Sequence, residues 1–134
     1  MSTLFSKIVS GDIPAHKVAE TSDFLAFLDI NPLKMGHVLV IPKKEVDYIF
    51  DVDDELYTGL MIFTKIVAKA IKKAIPCTRI GVAVIGLEVP HAHVHLIPID
   101  RMSDMDFGNN KLEPTQQELS EVALRILDAL KDES

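Results

Sequence analysis

Residues 89–98, Val-Pro-His-Ala-His-Val-His-Leu-Ile-Pro, constrain the fold more than any other stretch of the chain. Three of the five histidines stand there at alternate positions, with apolar residues between them. An extended strand repeats every two residues, so His91, His93 and His95 are expected on one face and Ala92, Val94 and Leu96 on the other. Random placement of five histidines would give this spacing about 0.007 times per chain.

The remainder of the chain supplies partners for such a strand. Phe5, Ile8 and Val9 form a short apolar helical stripe closed by Gly11 and Pro14. Segments 17–20 and 24–29 read as two strands joined by the turn residues Thr21, Ser22 and Asp23, and Asn31-Pro32 breaks the second. Segment 37–42 is apolar and β-branched, as a central strand would be, and Pro42 stops it. The period then changes: Leu56, Leu60, Phe63, Val67, Ala70 and Ile71 mark one long amphipathic helix, with Asp53 as its N-cap and Pro76 beyond its end. Segment 79–85 is another buried strand, and Gly86 turns the chain into the histidine strand. Thr115-Gln116-Gln117-Glu118 is a capping box opening a second amphipathic helix along Leu119, Val122, Ala123, Ile126, Leu127 and Leu130. The order α-β-β-β-α-β-β-α implies an α+β fold: an antiparallel sheet with one long helix inserted and a C-terminal helix.

Charge narrows the range of partners. The net charge is −6, but residues 1–99 carry 10 basic and 11 acidic side chains, and residues 100–134 carry 4 and 9. The acidity belongs to the C-terminal segment, which argues against binding along a nucleic acid polymer. We expect residues 1–100 to form the catalytic, ligand-binding domain, with 101–134 an acidic loop and helix packed on it. The lone Cys77 allows no intrachain disulfide or cysteine cluster. The first residues lack the basic and apolar pattern of a signal peptide, and no apolar run has membrane-spanning length. A cytoplasmic protein with no membrane partner is the expectation.

For the histidines, three readings stand side by side. They are tolerated on a polar strand face, they ligate zinc or iron with help from His37 or Glu88, or one attacks a phosphorus while its neighbours position it. Here the motifs resemble a known family. His91-Ala92-His93-Val94-His95-Leu96-Ile97 is similar to the His-φ-His-φ-His-φ-φ motif of the histidine triad superfamily of nucleotide hydrolases and transferases. Segment 5–14 resembles that family's N-terminal motif, 27–32 its nucleoside-contacting segment, and 36–43 the strand that supplies a fourth histidine.

The resemblance implies a homodimer with one sheet extended across two subunits, and a purine nucleotide or nucleotide conjugate in the cleft. It implies a phosphoramidase or nucleotidyl hydrolase working through a nucleotidyl-histidine, with no cofactor and no metal. His93 would attack the α-phosphorus, His95 would bind the phosphate, and His91 with His37 would orient and tune the nucleophile. Asp29 would accept from the ribose hydroxyls, while Ile30, Phe5 and Ile8 would border the base. Some features depart from the family pattern. The loop 85–90 before the triad is short and carries Glu88, which would protonate the leaving group or repel a phosphate. Ala83 and Val84 replace a phosphate-side asparagine. The usual arginine after the triad strand is displaced to Arg101. Thr3 and Ser6 stand where many members have two zinc-binding cysteines, so that zinc site is expected to be lost. A nucleotide-binding protein with little turnover, and a metalloprotein built on His91, His93, His95 and Glu88, are the alternatives.

Overall fold

The structure is a computed structural model, and it describes residues 3–132. Eight main elements follow in the expected order: α1 (Leu4–Ser10), β1 (Lys17–Glu20), β2 (Phe24–Leu28), β3 (Val38–Pro42), α2 (Asp54–Ala74), β4 (Arg79–Ala83), β5 (Val94–Ile99) and α3 (Gln116–Lys131). Short 3₁₀ turns at Ile49–Asp51 and Met102–Met105 lie between them. The strands make one fully antiparallel sheet in the order β1-β2-β3-β5-β4. This is the α+β architecture expected from the sequence pattern.

Local chemistry sets the helix ends. Asp53 accepts from the Leu56 amide at the start of α2. Thr115 and Glu118 close a reciprocal capping box on α3. Thr3 caps α1 through the Ser6 amide, and Gly11 ends that helix at φ 87°, a conformation that costs glycine little.

Strand alternation divides the interior in two. Phe24, Ala26, Leu28, Val38, Val40, Val94 and Leu96 point to one face, where α2 contributes Leu60, Phe63, Val67 and Ile71 and α3 contributes Leu119, Val122 and Ile126. On the other face Leu25, Phe27, Leu39 and Ile41 meet only Phe5 and Ile8 of the seven-residue α1 among their buried neighbours. The face under two long helices is closed, whereas the face under α1 is left partly open.

The histidine strand is shorter than its sequence pattern suggested. β5 starts at Val94, so His91 and His93 precede it. The His91 amide bonds the Val89 carbonyl at 2.8 Å in a local turn and the Ala92 amide bonds the Val46 carbonyl at 2.7 Å, beyond the end of the β3 ladder. Pairing between β3 and β5 runs only from Val40↔Val94 to Val38↔Leu96. Pro98 therefore lies past that ladder, where its missing N–H disturbs no β3 bond. Strand β2 ends at Leu28, one residue before Asp29, and β4 ends at Ala83, two residues earlier than expected.

Candidate functional site

A cleft of about 640 Å³ opens on the side of the sheet that α1 covers only in part. Its walls include His37, His93, His95, Asp29, Ile30, Phe5, Ile8 and Glu88. His91 is absent from those walls. It is fully buried behind them. The alternation expected from the sequence holds: Ala92, Val94 and Leu96 enter the helix-covered core, while His91 and His93 both meet Phe5 of α1 and His95 lines the cleft. What the structure adds is that His91 lies behind the wall and not on it.

Backbone groups determine which nitrogen of each ring holds the proton. The Leu33 amide donates to His37 Nδ1 at 3.1 Å, so the His37 proton is on Nε2. That Nε2 lies 3.0 Å from His95 Nδ1 and donates to it. His95 is then protonated on Nε2, which makes it a hydrogen-bond donor toward the cleft. His93 is set the opposite way. Its Nδ1 is 2.8 Å from the His91 carbonyl, which can only accept, so Nε2 keeps a free lone pair. Within one site, the backbone produces one imidazole with an N–H directed to the cleft and one with a free Nε2 lone pair.

Burial holds His37, His95 and His91 below the usual imidazole range. Burial first, then the charges at His95 and Lys111, push His37 down to about 3. Burial first, then His93 and Lys111, push His95 down to about 4. Burial also lowers His91, partly against its bond to Pro42 and the Glu45 charge. The Asp29 carboxyl moves the other way: burial raises it, against the Asn31 amide and the nearby Lys111 ammonium.

Asp29 follows β2 and is tied to the fourth histidine through its amide, which donates to the His37 carbonyl at 3.0 Å. Its Oδ1 accepts from the Asn31 amide at 2.9 Å in a turn, and its Oδ2 lies 3.8 Å from His37 Nε2. His37 owes its place to Gly36, whose φ of 94° suits glycine. A Cβ there would approach Ile75 Cγ1 to 2.9 Å and Pro98 Cγ to 3.1 Å. Phe5 packs its ring edge-on against His93 with centroids 5.0 Å apart, while Ile30, 58% exposed, stands at the mouth. Glu88 is exposed on the loop that forms another edge of the cleft.

Sequence reasoning missed Phe107 and Lys111. The Phe107 ring lies 4.9 Å from His95 and 6.4 Å from His37, covering the pair edge-on. Lys111 lines the same wall, with Nζ held 2.6 Å from the Phe107 carbonyl. Both come from the polar loop after β5, which has no periodicity to read. The one available signal was an aromatic and a cation in a loop otherwise rich in Asp, Asn, Gly and Met.

Metal-binding alternatives fare unequally. The quartet His91, His93, His95 and Glu88 does not converge, because both ring nitrogens of His91 are engaged outside the cleft, by Pro42 and Thr3. Among the described residues, Asp29, His37 and His95 bring one potential ligand atom each within 4.8 Å of one another, although the facing nitrogens of the two histidines are already hydrogen-bonded to each other. The zinc corner expected to be lost presents the hydroxyls of Thr3 and Ser6 beside His91 and Glu45. His91 and Glu45 offer one imidazole and one carboxylate, but both His91 nitrogens are hydrogen-bonded and the two neutral hydroxyls are not donors that zinc selects, so the corner lacks the four-donor set of a structural zinc.

A model of the HIT domain matches residues 10–102. The chain belongs to the HIT (histidine triad) family. Among its relatives, an uncharacterized HIT-like protein of Borreliella burgdorferi is 34% identical over 133 residues, covering 92% of this chain and 94% of that protein. The adenosine 5'-monophosphoramidase hnt1 of Schizosaccharomyces pombe is 41% identical over 99 residues, covering 73% of this chain and 74% of that protein. The crystal structure of a Hit-like protein from Bartonella henselae superposes with a TM-score of 0.84 at 32% identity, covering 96% of each chain. The loop that carries Phe107 and Lys111 lies outside the matched HIT segment.

Proposed function

We propose that this HIT protein hydrolyses purine nucleotide conjugates at the α-phosphate, as a phosphoramidase or nucleotidyl hydrolase. The observation that carries the reading is the 2.8 Å bond from His93 Nδ1 to the His91 carbonyl, which leaves Nε2 as a nucleophile. The S. pombe relative, named as a phosphoramidase, supports the substrate class.

In this reading the His93 Nε2 lone pair forms a bond to the α-phosphorus while the bond from phosphorus to the leaving nitrogen or oxygen breaks. The positive charge that develops on the ring is spread toward the His91 carbonyl through Nδ1–H. His95 Nε2–H donates to a non-bridging phosphate oxygen, in a line of bonds anchored by His37 and the Leu33 amide. The leaving group takes a proton at the mouth, where Glu88 is the candidate donor. Water then attacks the phosphorus of the nucleotidyl-histidine and gives its proton to the Glu88 carboxylate as the bond to Nε2 breaks, which releases the nucleoside monophosphate and restores neutral His93 and protonated Glu88. Asp29 accepts from the ribose, and Phe5, Ile8 and Ile30 flank the base. The scheme requires no metal or cofactor.

We also infer the homodimer that the family resemblance implies. Strand β4 is an edge of the sheet, with Val82 54% exposed, and Ile62 and Ile66 are exposed on α2. Light scattering should give twice the chain mass, and a monomer would overturn this inference.

The chemistry is tested with an adenosine phosphoramidate. Wild type should release AMP, and His93→Ala should lose turnover by at least about a thousandfold while still binding nucleotide. Intact mass of a His95-substituted variant after brief incubation should show one added nucleotidyl group that depends on His93. Equal inertness of wild type and His93→Ala would sink the enzyme reading and leave a nucleotide-binding protein.

A further inference from the structure

Behind the cleft, α1, the segment after β3 and the triad turn are joined by one line of hydrogen bonds. Glu45 Oε1 accepts from the Thr3 amide at 3.0 Å and from the Ser6 hydroxyl at 2.6 Å. Thr3 Oγ1 accepts from the Ser6 amide at 3.0 Å and lies 3.0 Å from His91 Nδ1. The other ring nitrogen of His91, Nε2, is 2.7 Å from the Pro42 carbonyl.

These partners leave one arrangement of protons. A carbonyl only accepts, so the neutral His91 ring has its hydrogen on Nε2 and a lone pair on Nδ1. The Thr3 hydroxyl is then the donor to Nδ1. Thr3 has a single hydroxyl hydrogen, so the Ser6 hydrogen goes to the Glu45 carboxylate. The looser approaches, Thr3 to Ser6 at 3.2 Å and Ser6 to His91 at 3.4 Å, are secondary. The line ends at the nucleophile, because the carbonyl of His91 is the group that holds His93 Nδ1.

We propose that Thr3, Ser6 and Glu45 are positioning residues for His93, fixing the ring and tautomer of His91 and through its backbone carbonyl the aim of the attacking imidazole. This rests on the function proposed above. The backbone of the triad turn is tied by the His91 amide to the nearby Val89 carbonyl and by the Ala92 amide to the Val46 carbonyl. The side-chain line adds a tie from that turn to the N-cap of α1, whose Phe5 packs edge-on against both His91 and His93. In a HIT chain with hydroxyls at Thr3 and Ser6, the corner is cross-linked by hydrogen bonds anchored on an exposed carboxylate.

The test is a set of variants read in two ways. Thr3→Val keeps the shape and removes the hydroxyl, so kcat should fall about tenfold while KM stays within about twofold, as expected for a displaced nucleophile. Thr3→Ser should recover kcat to within about twofold. Glu45→Ala, at an exposed position, should lower kcat about threefold and serves as the test if Thr3→Val does not fold. An unchanged kcat in the folded variant, equal loss in Thr3→Ser and Thr3→Val, or a raised KM at constant kcat would each overturn the proposal. Imidazole nitrogen NMR separates this failure from failure of the activity itself. Wild type should show His91 protonated on Nε2 and His93 on Nδ1, whether or not it turns over. Thr3→Val, or Glu45→Ala in its place, should perturb both rings, and an unperturbed His93 would count decisively against the line of positioning.

Discussion

The two faces of the central sheet are built from the same strands, yet they do opposite things. In β3, Val38 and Val40 face α2, while Leu39 and Ile41 face α1. In β5, Val94 and Leu96 join the helix-covered core, while His95 faces the cleft. The first face is apolar and covered by helices of 21 and 16 residues. The second is covered by a helix of seven residues and by loops, which leaves room for a ligand and for four histidines at or behind the wall. Closure yields a core that only has to pack. Incomplete closure forces each polar group to find a partner, and the partners found are backbone groups and neighbouring rings that also choose the tautomers.

The contrast can be broken most severely from the closed face. Leu60 is fully buried against the strands, so Leu60→Ala should destabilise the fold by about 2–5 kcal/mol, measured by denaturant unfolding. Below the melting range its kcat should remain near wild type, and a large loss of kcat in the folded variant would show that the faces are not independent.

Acid sharpens the difference from the open face. His37 is held near 3 and His95 near 4 in the folded protein, against about 6.5 when unfolded. Between these values the unfolded chain binds more protons, so stability is present above pH 6.5 and is lost as the pH falls toward 4. The slope reaches about 1.4 kcal/mol per pH unit for each ring. The raised Asp29 carboxyl acts in the opposite sense, gaining stability as it protonates. A melting temperature that stays flat from pH 7 to about 4.5 would contradict neutral, buried histidines. The smallest effect belongs to Lys111. Lys111→Met should raise KM about threefold for an anionic nucleotide with kcat little changed, near 0.7 kcal/mol. An unchanged KM would remove Lys111 from the ligand site.

Much of this was readable before the structure. The 3.6-residue stripes located α2 and α3, Asp53 and Thr115 marked their starts, and runs of apolar residues located the strands. The motifs also grouped His37, His93, His95 and Asp29, which the fold does bring to one cleft. Alternation gave the facing of His91 and His93 correctly but not the extent of the strand, which begins only at Val94. A two-residue period assumes a strand, whereas the segment after Pro90 is held by bonds to Val89 and Val46. Phe107 and Lys111 escaped because a loop residue's position is decided by where the chain closes, and the loop sequence has no period.

By itself, the sequence determined the element order, the antiparallel α+β class and the family, because periodicity, caps and motif spacing are local properties of the chain. Only the tertiary structure decided what each histidine can do. Whether an imidazole donates or attacks depends on which nitrogen meets the Leu33 amide, the His91 carbonyl or the Thr3 hydroxyl. Residues 3 and 91 become partners only when α1 folds against the triad turn. Such long-range hydrogen bonds leave no mark in residue spacing, yet here they set the tautomers of His91 and His95, while short-range backbone bonds set those of His37 and His93.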